Sequence, residues 1–544
     1  MIRHILRKDW TLLWPLVLLV SAIQVGFEWA TFKAGFFSAN QVARELVGLL
    51  SAAWIVGILA VAVAAIYEDP IPGAEQDWLI RPIRRSDLLL AKVLFVLIGV
   101  CLPMLAVNVI HALALGFPTL TSFGMALYKE LFVFACLLLP VMALASIGRN
   151  ITELLVLGAS LVVLYAAALG LSAVVFGAEA CPTCDTAIVW IQHLLQHVGV
   201  FAGAIFILVL QYFRRRTEVS RAVALAGLLT LVFLQLPWGL AFAAQSWLTG
   251  TGAPVRIALQ LAVARVEAER GKGANRPPRS PDLAHRATQA LIEGNAGAVV
   301  GNLKHIAQPG NAAVKLHMGL SLKGLAADEL LFADRTQFSI RDEQGRVLYR
   351  GTGSRASVAL VPDESEAKAA GLAQQSVEIP RELYERAGTQ AVSLNVDDWL
   401  TLVAMTGQHR ISAVDGELRA PEAGLCRSKA EANEIVIVCK QLGRAPVCYS
   451  ATLYAPDGRH NPEVLQCTPD YRPYLPALGN MLTVSAVELP THDASGLAHY
   501  AVAISELAES YVVLKTYEPV AHFTRALGPL PLTMKSDLSA DPAQ

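Results

Sequence analysis

The sequence predicts a polytopic α-helical membrane domain, six spans plus one further helix, followed by a mostly β extracytoplasmic domain built as one or two β-sandwiches. Three observations predict it. The 544-residue chain is 54% hydrophobic and only 16% charged, where a soluble globular chain has about 45–50% and about 25%; its mean hydropathy is +0.46. The apolar residues crowd into roughly the first 248 positions, beyond which Arg, Glu, Asp and Pro become common. Near residue 312 the apolar period changes to two, as in "VKLHMGLSL", which is the alternation of a half-buried strand.

A bilayer core about 30 Å thick takes roughly 20 apolar residues in helical form. Seven segments reach that length: 10–30, 45–66, 88–114, 129–148, 153–177, 188–212 and 222–246. The first is too long for a signal peptide and ends without a small-residue cleavage site. Sidedness follows from basic residues in short loops. Arg3, Arg7 and Lys8 precede the first span, Arg81, Arg84 and Arg85 follow the second, Arg149 follows the fourth, and Arg214, Arg215, Arg216 and Arg221 follow the sixth. The opposite loops hold only Lys33, Arg44 and Lys129. The expectation is a multi-pass protein of a bacterial cytoplasmic (inner) membrane, its amino terminus cytoplasmic and residues after about 248 extracytoplasmic, in the periplasm. Net charge, −1, says nothing for or against nucleic acid, and no such partner is expected.

Cysteine usage agrees. Cys101 and Cys136 fall inside spans, whereas Cys181, Cys184, Cys426, Cys439, Cys448 and Cys467 fall outside, where disulfides form and persist. The last four allow three pairings, and the sequence does not choose among them.

Between spans two and three the chain reads "YEDPIPGAEQDWLIRPIRRSDLLLAK" over residues 67–92. Pro70, Pro72 and Gly73 break the preceding helix, "AEQDWLI" suits a short interfacial helix with Trp78 at headgroup level, and Pro82 ends it. This run resembles the first cytoplasmic loop of type-2 ATP-binding-cassette (ABC) permeases, through Glu68, Asp69, Gly73, Trp78, Arg81, Pro82, Arg84, Arg85 and Lys92. "MIRHILRKDW" resembles that family's amphipathic elbow helix, and six spans closed by "QYFRRRTE" match its membrane unit; the likeness covers about residues 1–220. It implies a transport subunit rather than an enzyme, with the loop as the coupling helix against a separate cytoplasmic ABC ATPase, and pairing with a second copy or a related permease. No cofactor is expected on this chain: it lacks G-x-x-x-x-G-K-[ST], so ATP and Mg belong to the partner ATPase.

The expected organisation is an elbow at 1–9, the six-span unit at 10–220, a seventh helix at 221–248 and a mixed linker at 249–310. β domains follow at 311–404 and 405–535, the second carrying the disulfides, and then a disordered tail at 536–544. The linker segment "VRIALQLAVARVEAE" suits either an amphipathic helix or a buried strand. The seventh helix departs from the family and carries the chain back across, so that the β part lies outside.

Three constellations invite chemistry. "CPTCDTAIVWIQHLLQH" places Cys181, Cys184, His193 and His197 as a weak zinc set, but the Cys-to-His gap is short and the outer compartment favours a disulfide. Asn108 and His111 in the third span are candidates for a substrate path, with an interhelical hydrogen bond as the plainer reading. Asp397 and Asp398 beside Trp399 read as a solvated strand end. Against the permease stands a different class, a non-transporting membrane-anchored sensor or assembly protein whose outer β domain binds something. A membrane redox or metal enzyme built on the CPTC motif is the third reading.

Overall fold

A computed structural model describes residues 1–34, 36, 41–69, 84–176, 189–233, 238–249, 257–267, 313–326, 328–352, 372–380, 392–431, 434–443, 446–461, 463–467, 481–491, 502 and 506–532. The front half is helical: α1 (Ile2–Ala34), α2 (Gln41–Tyr67), α3 (Arg85–Ala114), α4 (Thr119–Ile147), α5 (Ile151–Phe176), α6 (Val189–Val209, prolonged by a π-turn over Leu210–Arg214), α7 (Thr217–Phe233) and α8 (Trp238–Leu248). The elbow at 1–9 is not set off from the first span, for α1 runs unbroken from Ile2.

Among the described residues, five helices are long and apolar enough to cross a membrane: Ile2–Lys33, Glu45–Tyr67, Arg85–Ala114, Thr119–Ile147 and Trp190–Arg214. Two expected spans are not among these five. The segment 153–177 lies on α5, and 222–246 is divided between α7 and α8. At 1.5 Å per residue, the 17 and 11 residues of α7 and α8 add up to about 42 Å of helix, shared between two pieces.

Prolines inside the spans are accommodated by widening the helix. Pro103 and Pro140 follow π-turns at Leu97–Cys101 and Phe134–Leu138. A proline lacks the donor for residue i−4 and its ring presses on that carbonyl; Gly99 and Cys136, the residues concerned, lie inside the two π-turns, where the ladder is already re-paired. The bundle core is made by Leu13, Val17 and Val20 of α1, Trp54, Ile58 and Val61 of α2, Phe95 and Met104 of α3, and Val133, Leu138 and Met142 of α4. Its outer surface is apolar too, with Trp14, Leu18, Val56, Ile110 and Leu131 exposed, as suits helices that face lipid. Exposed Trp10 and Trp29 stand 19 residues apart on α1, about 28 Å along the axis, close to a hydrocarbon core of about 30 Å with tryptophans at its two boundaries.

The rear half is β: β1 (Ala258–Glu267), β2 (Ala313–Lys323), β3 (Glu329–Asp342), β4 (Val347–Thr352), β5 (Leu372–Pro380), β6 (Val392–Ser412), β7 (Glu417–Ala420), β8 (Gly424–Ala430), β9 (Glu434–Leu442), β10 (Cys448–Tyr454), β11 (Val464–Cys467), β12 (Leu482–Pro490) and β13 (Tyr511–Leu532). The linker segment left open between helix and strand is a strand, β1. Three antiparallel sheets form, in the orders β1-β2-β5, β11-β10-β13-β6-β3-β4 and β12-β9-β8-β7. The second and third stack as a sandwich over Ile411, Tyr449, Ala451, Leu453, Val512 and Leu514 on one side and Ile435, Ile437, Val487 and Leu489 on the other.

The division expected at 404/405 falls in the middle of β6, whose 21 residues pair with β13 along nearly their whole length. The six-stranded sheet therefore takes strands from both expected domains. The late cysteines form Cys426–Cys439 and Cys448–Cys467. Each pair sits directly opposite in register, on β8–β9 and on β10–β11, so strand pairing selects the connectivity.

Candidate functional site

The two ends of the bundle carry different groups. At the end bearing the basic loops, Lys92 of α3 is wholly buried and its ammonium donates to both oxygens of buried Asp9 on α1, at 3.0 and 2.9 Å. It also pairs with Asp69 Oδ2 at 2.7 Å, just past α2, while Lys8 donates to Asp69 Oδ1 at 2.7 Å. Two carboxylates and two ammoniums thus neutralise one another, and a buried charge persists only when paired in this way. Arg85 donates to the carbonyl of Phe213 at 2.9 Å, Tyr67 to that of Asn150 at 3.0 Å, and Arg221 pairs with Glu153. These contacts gather the starts of α1, α3, α5 and α7 with the ends of α2 and α6.

Of the predicted coupling-loop residues, Glu68 and Asp69 close α2, Arg84 stands exposed as the extended N-cap of α3, and Arg85 and Lys92 lie on α3. Gly73, Trp78, Arg81 and Pro82 lie outside the described residues. The described ones bracket the loop: Asp69 on one side and Lys92 on the other meet in one ion cluster.

Toward the other end, Asn108 and His111 lie one turn apart on α3 and lead into a second cluster. Asn108 Nδ2 donates to Glu130 Oε1 at 2.7 Å, and Lys129 Nζ donates to Asn108 Oδ1 at 3.0 Å, both partners on α4. His111 Nδ1 meets Glu28 of α1, and its ring packs edge-on to Phe32. The interhelical hydrogen bond is therefore present, embedded in a charged group spanning three helices. His111 Nε2 and Glu130 Oε2 are buried with no partner among the described residues. Beside them lies a cavity of about 40 Å³ lined by Glu28, Asn108 and His111 from the helices and by Lys440 and Met481 from the β lobe, room enough for a water or two.

The sequence reading missed Glu28, Glu130 and Asp9, and counted Lys129 as an outer-loop cation although it is buried within α4. The available signal was an ionisable residue inside an apolar run, which at membrane depth faces protein or water and not lipid.

The β lobe abuts the ends of α1, α3 and α8, opposite the basic loops. Arg427 and Lys440 both stand over the ring of Phe36, 4.9 and 4.6 Å from its centroid; burial, and then the nearby Arg427, hold the Lys440 ammonium below its ordinary value. A polar chain forms a second foothold. Gln245 Nε2 of α8 donates to His522 Nε2 at 3.2 Å, His522 Nδ1 donates to Thr401 Oγ1 at 2.6 Å, and Thr401 donates to Asp334 Oδ2 at 2.5 Å. The adjoining Asp397 and Asp398 divide: Asp397 is exposed, but Asp398 is fully buried and accepts from Thr336 Oγ1 at 2.6 Å. The solvated strand end expected for the pair does not hold: both lie inside β6, paired to β3 and β13, and only Asp397 faces water, because successive strand residues face opposite sides.

His193 and His197 lie on α6, His193 exposed and His197 against the ring of Phe132. Cys181 and Cys184 lie outside the described residues, and among the described residues no three His, Cys, Asp or Glu side chains are grouped to hold a metal ion. No protein-family model matches this chain, and no curated protein or solved structure matches it.

Proposed function

We propose that the chain is the membrane permease subunit of an ATP-driven, ABC-type export system. A separate cytoplasmic ATPase, holding ATP and Mg, supplies the energy, a second permease unit completes the path, and the β lobe binds substrate or a partner protein on the outer side. The observation that carries this reading is the cluster of Asp9, Lys92, Asp69 and Lys8. A push on the loop 70–83 moves helices only if both loop ends are fixed to them. Here Asp69 and Lys92 share one buried ammonium–carboxylate contact with α1, so displacement of the loop carries α1, α2 and α3 together. The paired cysteines of the lobe support an oxidising, extracytoplasmic compartment, and the basic loops gathered at the far end of the helices support a cytoplasmic face there.

The test is purification of the tagged chain from its native membrane. The expected result is an associated nucleotide-hydrolysing subunit, lost on Glu68→Ala with Arg84→Glu while the chain keeps its unfolding temperature. A preparation free of any ATPase overturns the reading. The lobe's contacts with the helix ends also favour a second reading, a membrane-anchored sensor or assembly protein in which occupancy of the lobe is passed to the bundle. Efflux that survives deletion of 250–544 decides for transport by the membrane unit itself.

A further inference from the structure

A second cavity, of about 410 Å³, lies between the α3–α4 turn and the edge of the lobe formed by β7, β8 and β9. That volume falls within the range of small-molecule sites, roughly 300–1,000 Å³. Leu115, Phe117, Pro118, Leu425 and Leu442 make its walls apolar, and Arg419 brings a charge. Two features favour an anion. Arg419 gives Nε and Nη2 to Glu417 Oε1, each at 3.2 Å, and its Nη1 makes no hydrogen bond among the described residues. Glu417 is shared with Arg427, at 2.9 Å, so one carboxylate faces two guanidiniums and positive charge is left over.

The second feature is the start of α4 at the cavity wall. Its N-cap is Pro118, without a side-chain cap, and the first helical amide to find an acceptor is that of Ser122, on the Pro118 carbonyl at 2.9 Å. The amides before it are the orphan donors of a helix start, where partial positive charge collects. Gly116, with φ +84°, is what lets the guanidinium lie here, since a Cβ at that position would collide with Arg419 Nη1.

The lining residues Leu115, Pro118 and Thr121 are close in sequence to apolar side chains on the outside of the bundle. Leu120 is 85% exposed, and Leu113 and Phe123 are exposed as well. The cavity sits at the end of the bundle that Trp29 marks as the outer boundary. We propose that this cavity binds an anionic phospholipid of the outer leaflet, its phosphate between Arg419 and the first turn of α4 and an acyl chain running down the face of Leu113, Leu120 and Phe123. The inference is independent of whether the chain transports anything.

The test uses the full chain, stripped of lipid in a neutral maltoside detergent and titrated with dioctanoyl phosphatidylglycerol, dioctanoyl phosphatidylcholine or inorganic phosphate, with native mass spectrometry as readout. Phosphatidylglycerol is expected to bind about tenfold more tightly than phosphatidylcholine, which offers the same phosphate but adds a choline cation that Arg419 repels, and millimolar phosphate is expected not to displace it. Arg419→Gln is expected to bring both lipids to the same affinity without moving the unfolding temperature, and Gly116→Ala, which displaces the guanidinium, to act in the same direction. Equal affinities on the unaltered chain, or an undiminished preference in Arg419→Gln, overturn the proposal. So does displacement by phosphate alone, which makes the site one for free anions.

Discussion

The two polar clusters of the bundle use similar groups to opposite ends. Around Lys92 every formal charge has its counter-charge within 3.0 Å, and Asp9 and Lys92 have no exposure at all. Around Asn108 two carboxylates face one ammonium and an imidazole, two buried polar atoms lack partners among the described residues, and a cavity adjoins the group. A balanced cluster resists change, because any displacement separates buried charges. One with unpartnered buried atoms beside a cavity has alternatives within reach. The difference locates stiffness at the end with the coupling-like loop and adaptability at the end under the β lobe.

Four experiments break or sharpen that contrast. The largest effect is expected from Lys92→Met, which strands Asp9 in the core: about 3–5 kcal/mol of stability lost, read as a fall in unfolding temperature in detergent. The double change Asp9→Leu with Lys92→Met is expected to recover more than half of it; a single substitution costing under about 1 kcal/mol removes the stiff end from the account. Next comes the lobe. Replacing Cys426 and Cys439 together by Ala opens a bridge between positions 13 apart, worth about 3 kcal/mol on a chain-entropy estimate, with the bundle's own transition unmoved.

Asn108→Leu follows, at about 1–2 kcal/mol. Its effect is expected to stay below that of Lys92→Met because the neighbouring cavity lets Lys129 and Glu130 find new partners. Equal losses at the two sites would show that the outer cluster is as rigid as the inner one. The smallest effect is the pH dependence of the lobe. Burial alone would raise the Glu463 carboxyl, but hydrogen bonds from Ser450 and Lys515 outweigh it and hold the group below its ordinary 4.5. A depressed carboxyl gives stability that is present above 4.5 and lost as pH falls through its folded value. Burial would likewise lower Lys515, yet Glu463 raises it above 10.5, so its share is present below 10.5 and lost on further alkalinisation. Lys515→Met is expected to shift the acid loss upward toward 4.5 and erase the alkaline one, at under about 1 kcal/mol for a pair this exposed. Denaturant titrations across pH measure both.

The layout of oily helices before alternating strands was legible, since bilayer thickness and the pleat period act on every residue of a segment. Asn108 and His111 were legible as singular polar groups in an apolar run. Their partners were not: Lys129 and Glu130 read as a loop edge until α4 is seen to begin ten residues earlier, at Thr119. The cysteine pairing was hidden because register is a property of two strands together, and neither Cys426 nor Cys439 carries it alone. The division of the β part failed for the same reason. Turn signals punctuate the chain locally, whereas β6 finds its partner β13 a hundred residues later.

The long pairing of β6 with β13 has a mechanical corollary. At about 3.3 Å per residue, the 21-residue β6 is a beam of roughly 70 Å, and β13 doubles it. Midway along this beam Thr401 and His522 hold Gln245 of α8, and the sheet stacked on the strip carries the cations that grip Phe36. A bolt on the plank and a clasp on the sheet packed against it cannot slip separately. Whatever lifts the clasp must turn the plank about the bolt, so a tug on the lobe would reach the bundle as torque.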